Sequence, residues 1–149
     1  MNKRLSYLFF ALTALVTVFI FTRSMKTAVE SGQESGFFVN IFLGFFNFDP
    51  GIVTQIIRKV AHIFEFFMQS VFLSAAFICI KKYYQRIIYV LFCGLLTGVV
   101  DEFIQLFVEG RGSMVSDVLV DFSGTCFAVI LCSVIYLLFN KRKEKIKLL

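Results

Sequence analysis

Arg58, His62, Glu65 and Gln69 stand at intervals of four, three and four residues, which on an α-helix puts all four on one face. Thr97, Asp101 and Gln105 repeat every four residues with Glu102 beside them. Ser113, Asp117, Asp121 and Gly124 then follow a turn that contains Gly110, Arg111 and Gly112. His62 is the only histidine, and its type alone has an ordinary pKa near neutrality, so it can carry a proton, oriented by Glu65 or by a carboxylate from another helix. Arg58 and Arg111 can grip a phosphate or carboxylate through paired N–H donors. Asp101, Glu102, Asp117 and Asp121 can hold a divalent cation, act as further acid or base, or neutralise the two arginines. The same residues also admit a structural reading, in which an Arg–carboxylate–His network only locks helices together. A His-x-x-Glu pair arises by accident on many helices and does not by itself imply a metal. Ser113 and Ser116 are weak nucleophile candidates, because helix starts favour Ser as a cap.

These residues must be held by helices in a membrane. Of 149 residues, 58% are hydrophobic, with a mean hydropathy of +0.83, well above a soluble domain and enough for one folding unit. A crossing helix needs about 20 mainly apolar residues. Four stretches come close, at 5–22, 60–80, 87–108 and 118–139, which predicts an all-α membrane protein, a four-transmembrane-helix bundle. The first stretch reads as an uncleaved anchor, since Thr22-Arg23-Ser24-Met25-Lys26 offers no small-residue cleavage site.

Ten Lys and Arg residues flank one side of these spans (Lys3, Arg4, Lys81, Lys82, Arg86 and five in the tail 140–149), against five on the other (Arg23, Lys26, Arg58, Lys59, Arg111). Both termini are therefore expected in the cytoplasm. The bias accounts for the net charge of +5, so the basic tail reads as a topology signal and a contact for anionic lipid, with no nucleic-acid partner. The four cysteines, Cys79, Cys93, Cys126 and Cys132, fall inside spans without a C-x-x-C pair and read as small core residues.

The external loop 23–59 has two parts. Residues 24–36 are polar and read as mobile. Phe37–Phe48 is too short to cross and places Asn40, Gly44 and Asn47 at helical spacing, which predicts an interfacial or re-entrant segment between spans one and two. Asp49-Pro50 supplies a helix start, and the short basic loop Lys81–Arg86 makes spans two and three antiparallel neighbours. Gly94 and Gly98 offer a small surface for close helix approach. With this topology, nine of the ten Asp and Glu residues gather near the outer face, and the polar residues should line a pocket open to the outer leaflet. Charges at one end only leave no polar path through the inner half, which argues against a channel or transporter.

Arg58-Lys59-Val60-Ala61-His62-Ile63-Phe64-Glu65-Phe66 resembles the RKxxHxxEY string of the VanZ-like membrane proteins. Asp101-Glu102-Phe103-Ile104-Gln105 resembles that family's DExxQ, and Gly110-Arg111, Ser116-Asp117 and Asp121-Phe122-Ser123-Gly124 resemble its GRxxSxxDvxxNxxG pattern. The resemblance covers about residues 55–135. Phe66 stands where Tyr is common, Glu109 where Pro often precedes Gly-Arg, and Asp121 where Asn is often found. The resemblance implies a bacterial cell-membrane protein linked to reduced susceptibility to teicoplanin-type glycopeptides, with a polar site acting on lipid or lipid-linked envelope material. On the chemistry of the residues themselves, His62, Glu65, Asp101, Glu102 and Asp117 are the candidate catalytic set, with Arg58, Arg111, Gln105, Ser116 and Asp121 the candidate substrate contacts. The alternative is a non-enzymatic membrane factor that shields envelope targets or binds the antibiotic's lipid tail, the polar cluster then being a helix lock.

Overall fold

The computed structural model describes residues 3–45, 48–78, 80 and 82–147, leaving aside the side chains of residues 45, 141 and 143–147. The readings that fall on Asn47, Cys79 and Lys81, and on the side chains of Lys141, Lys143, Lys145, Lys147 and Glu144, lie outside the described residues. Among the described residues five helices follow one another: α1 (Lys3–Ser24), α2 (Ala28–Phe45), α3 (Pro50–Phe77), α4 (Tyr83–Gln105) and α5 (Val115–Lys147). Four of them, α1, α3, α4 and α5 through Asn140, are long and apolar enough to cross a membrane. Among the described residues there is no strand. The protein is an all-α, multi-pass membrane bundle. Its outer skin is apolar, with side chains such as Leu15, Phe64, Phe92 and Leu138 left exposed, as contact with lipid tails requires.

α3 is the hub, packed against each of the other four helices. It starts where Asp49 accepts a hydrogen bond from the Ile52 amide at 3.0 Å, with Pro50 in the first turn, which satisfies a free N–H and loses none. Close approach to α5 depends on Gly124, where a Cβ would land on the Ile63 carbonyl. α4 meets α5 the same way at Gly94, which faces Thr125, whereas Gly98 leaves ordinary contact distances of 3.6–3.8 Å.

α2 differs from expectation. The polar stretch 24–36 is not a separate loop; from Ala28 it is the first half of one 18-residue helix. Thr27 and Glu30 form a reciprocal cap, the Thr27 amide donating to Glu30 Oε2 at 2.9 Å and the Glu30 amide to Thr27 Oγ1 at 3.3 Å, a T-x-x-E signature present in the sequence. Ser31, Ser35 and Val39, four apart, are buried, and α2 packs on α3. α4 ends earlier than residue 108, and Gly110 takes a left-handed φ of 72° in the turn to α5, a conformation open to glycine at little cost. α5 runs on through the basic tail to Lys147.

Polar residues are also less confined to one end than expected. Gln69 donates to Thr17 at 2.7 Å and Thr97 at 3.2 Å, and Ser70 donates to Thr125 at 3.0 Å. Small hydroxyls bonded in pairs let helices approach without leaving a donor bare. Arg86, expected in a basic loop, lies in the first turns of α4 and is 4% exposed.

Candidate functional site

α1 and α4 end, and α3 and α5 begin, at one end of the bundle. Their contacts show it: Ser24 with Asp101, Arg23 with Glu65, and Lys59 with Asp117. The α4–α5 turn closes over this end, since the Met114 amide donates to Glu102 Oε2 at 3.0 Å and the Ala28 amide to the Glu109 carbonyl at 3.4 Å.

A cavity of about 300 Å3 opens here, walled by α3, the end of α4, the turn and the start of α5. Seven of the ten sequence-predicted residues line it: Arg58 and His62 from α3, Glu102 and Gln105 from α4, Arg111 from the turn, and Asp117 and Asp121 from α5. Gln55, Lys59 and Met114 join them. Glu65 and Asp101 stand outside the lining, and Ser116 is exposed and apart from it.

The carboxylates divide by what they hold. Asp101, 0% exposed, accepts from Ser24 Oγ on one oxygen and from Gln105 Nε2 at 2.7 Å on the other, so it ties α1 to α4. Glu65 faces Arg23 and not His62, with Oε1 3.3 Å from the Arg23 Nε and Oε2 buried without a partner. Arg23 also reaches Glu34 of α2 at 3.2 Å. Lys59 takes Asp117 at 2.9 Å. His62 turns its Nδ1 to carboxylates of two other helices, 3.4 Å from Asp121 and 3.9 Å from Asp101. Asp121 keeps Oδ2 buried and unpartnered.

The two arginines of the cavity lack such partners. Arg58 makes no ion pair among the described residues. Arg111 donates only from Nη2, to the Arg23 carbonyl at 3.4 Å, and its Nε and Nη1 are buried without acceptors. Burial, together with the neighbouring charge of Arg58, pushes the Arg111 pKa below its usual value. Two guanidinium groups beside one cavity, one with two enclosed N–H groups unmatched, make a place for an anion.

His62, Asp101 and Asp121 also bring one ligand atom each within 4.8 Å of one another, a spacing open to a cation. Both Asp101 oxygens are already engaged by Ser24 and Gln105, which favours a histidine–carboxylate pair with Asp121 over a metal shell.

Sequence reasoning missed Arg23 and Ser24. The signal was available, because the first polar residues after span one must lie at the depth of the other polar residues, yet neither carries a motif.

The fold and site define a class: a small polytopic membrane protein with a polar, cation-lined cavity at one end of its bundle. The chain belongs to the VanZ/LLP1 family, whose model matches residues 9–138. No curated protein and no solved structure matches it.

Proposed function

We propose that the cavity faces the outer leaflet and binds the anionic head group of a membrane lipid or lipid-linked cell-envelope precursor, with His62 moving a proton on the bound group. The unmatched Arg111 N–H groups beside Arg58 carry this reading, since an oxyanion would satisfy donors that the chain leaves bare. His62, backed by Asp121, lines the same space and is the group fit to give or take a proton near neutral pH. The Lys and Arg bias supports a cytoplasmic position for both termini, which would turn this end outward. Asp101 and Glu65 serve this site as positioning groups, because their bonds to Ser24 and Arg23 run between helices, while Gln105 steadies Asp101 from within α4.

Family kinship extends the reading to reduced susceptibility to teicoplanin. The test is glycopeptide susceptibility, with teicoplanin and a non-lipidated comparator, in cells expressing wild type, His62→Gln or Arg111→Gln at matched membrane abundance. Selective protection by wild type, lost in both variants, is expected. Protection that is absent, or that survives both changes, would overturn the reading for this phenotype.

A non-enzymatic second reading draws on an apolar groove of about 270 Å3 between α2 and α3, lined by residues such as Phe42, Ile52 and Ile56. A factor that sequesters an antibiotic's lipid tail there would keep its protection in His62→Gln and lose it when Ile52 and Ile56 are changed to Ser.

A further inference from the structure

The end of the bundle opposite the cavity holds a cation that the proposed function does not use. Arg86 is 4% exposed, its Nη2 is enclosed without an acceptor, and no described carboxylate lies within ion-pair distance. A guanidinium does not escape burial by losing its proton, so this one calls for a counter-anion.

The surroundings specify what kind. Arg86 is the fourth residue of α4, and helical side chains lean toward the N-terminus. Its guanidinium accordingly lies back over the first turn, 5.2 Å from the Tyr83 ring centre and 4.6 Å from that of Tyr136, rings that stack on each other at 5.1 Å. The N-cap Lys82 gives the helix no side-chain cap, so the first-turn N–H groups and the positive end of the helix dipole point the same way as the arginine. This assembly sits where a membrane span begins, the depth of lipid phosphates and of interfacial tyrosines. Lys82 and Tyr84 are exposed beside it.

We propose that the α4 N-terminus, Arg86 and the Tyr83–Tyr136 pair form a binding site for the phosphate of an anionic phospholipid in the leaflet facing that end, separate from the polar cavity. The aromatic rings hold the guanidinium plane in place by cation–π contact, and the phosphate oxygens take up the free donors of Arg86 and of the helix start. Bound there, the lipid anchors the α3–α4 connection to its leaflet.

Native mass spectrometry of the full chain in detergent, with phosphatidylglycerol, phosphatidylcholine of the same acyl chains, or inorganic phosphate, tests this. Wild type is expected to retain phosphatidylglycerol about tenfold more than phosphatidylcholine, and Arg86→Gln to lose one phosphatidylglycerol adduct, the Arg86-dependent one. Arg86→Lys keeps the charge without the planar fork and should retain an intermediate amount, which leaves the test intact if Arg86→Gln folds poorly. Arg111→Gln, which alters the cavity at the other end, should leave the Arg86-dependent adduct unchanged, so failure here and failure of the cavity reading are distinct results. Equal retention of the two lipids, retention unchanged in Arg86→Gln and Arg86→Lys, or displacement by millimolar inorganic phosphate would overturn the proposal, the last by assigning the site to a soluble anion.

Discussion

Arg111→Met separates a ligand-binding cavity from a helix lock, because the two readings give opposite signs for stability. Arg111 leaves Nε and Nη1 buried without acceptors within the chain. An unsatisfied buried donor costs about 1–3 kcal/mol, so at the low end the two cost about 2 kcal/mol. Methionine has a stem of similar length and no donors. The substitution gives up one hydrogen bond, the 3.4 Å contact from Nη2 to the Arg23 carbonyl, worth about 1 kcal/mol. The balance is a gain of about 1 kcal/mol, or about 2–4 °C in melting temperature for a chain of this size. Removal of the charge relieves repulsion from Arg58 and Arg23 and gives up attraction to Asp101 and Glu102, opposing effects that leave the hydrogen-bond balance to decide the sign. Binding changes the other way, since a charge-assisted hydrogen bond is worth about 1.5–3 kcal/mol, so anionic-lipid retention at the cavity should fall roughly tenfold to a hundredfold. Thermal melts by circular dichroism on delipidated, detergent-solubilised protein, paired with lipid retention measured at equal protein concentration, read both quantities. A melting temperature several degrees below wild type would refute the reasoning, for it would make Arg111 a brace between α1 and the α4–α5 turn rather than a group held ready for a ligand.

Asp101→Ala should behave as a structural change, whatever the protein acts on. It leaves Ser24 Oγ and Gln105 Nε2 without their shared acceptor, a loss of about 2–4 kcal/mol, seen as a melting temperature lower by about 5–10 °C. Gly124→Ala and Gly98→Ala form a matched pair of fold tests. The first drives a methyl into the Ile63 carbonyl and forces α3 and α5 apart, costing about 1–3 kcal/mol, while the second meets nothing closer than 3.6 Å and should shift the melt by no more than about 1 °C. Equal effects from the two would show that the α3–α5 approach is looser than described.

Much of this architecture was legible in the sequence, for physical reasons. Apolar runs of spanning length declare transmembrane helices because no other backbone arrangement satisfies its own hydrogen bonds in lipid without closing a barrel. Residues at spacings of three and four share a helix face, so the grouping of Arg58 with His62, and of Asp117 with Asp121, followed from periodicity alone. The shared depth of His62, Asp101 and Asp121 followed from up-and-down connection by short links. Helix α2 was readable in part, since the Thr27–Glu30 cap is a sequence signature, but its polar first half resembles a loop until Ser31 and Ser35 are seen buried.

Tertiary structure alone decided the pairings. Spacing leaves each helix free to turn about its axis relative to its neighbours, and which carboxylate of another helix meets His62 depends on that rotation. The glycine contacts at positions 94 and 124 set it, by bringing α5 so close to α3 and α4 that Asp121 falls opposite His62. Burial likewise belongs to the packed state. Arg86 and Arg111 look like ordinary basic residues at span boundaries until the helices close around them, and only then does a topology signal become a cation without an anion.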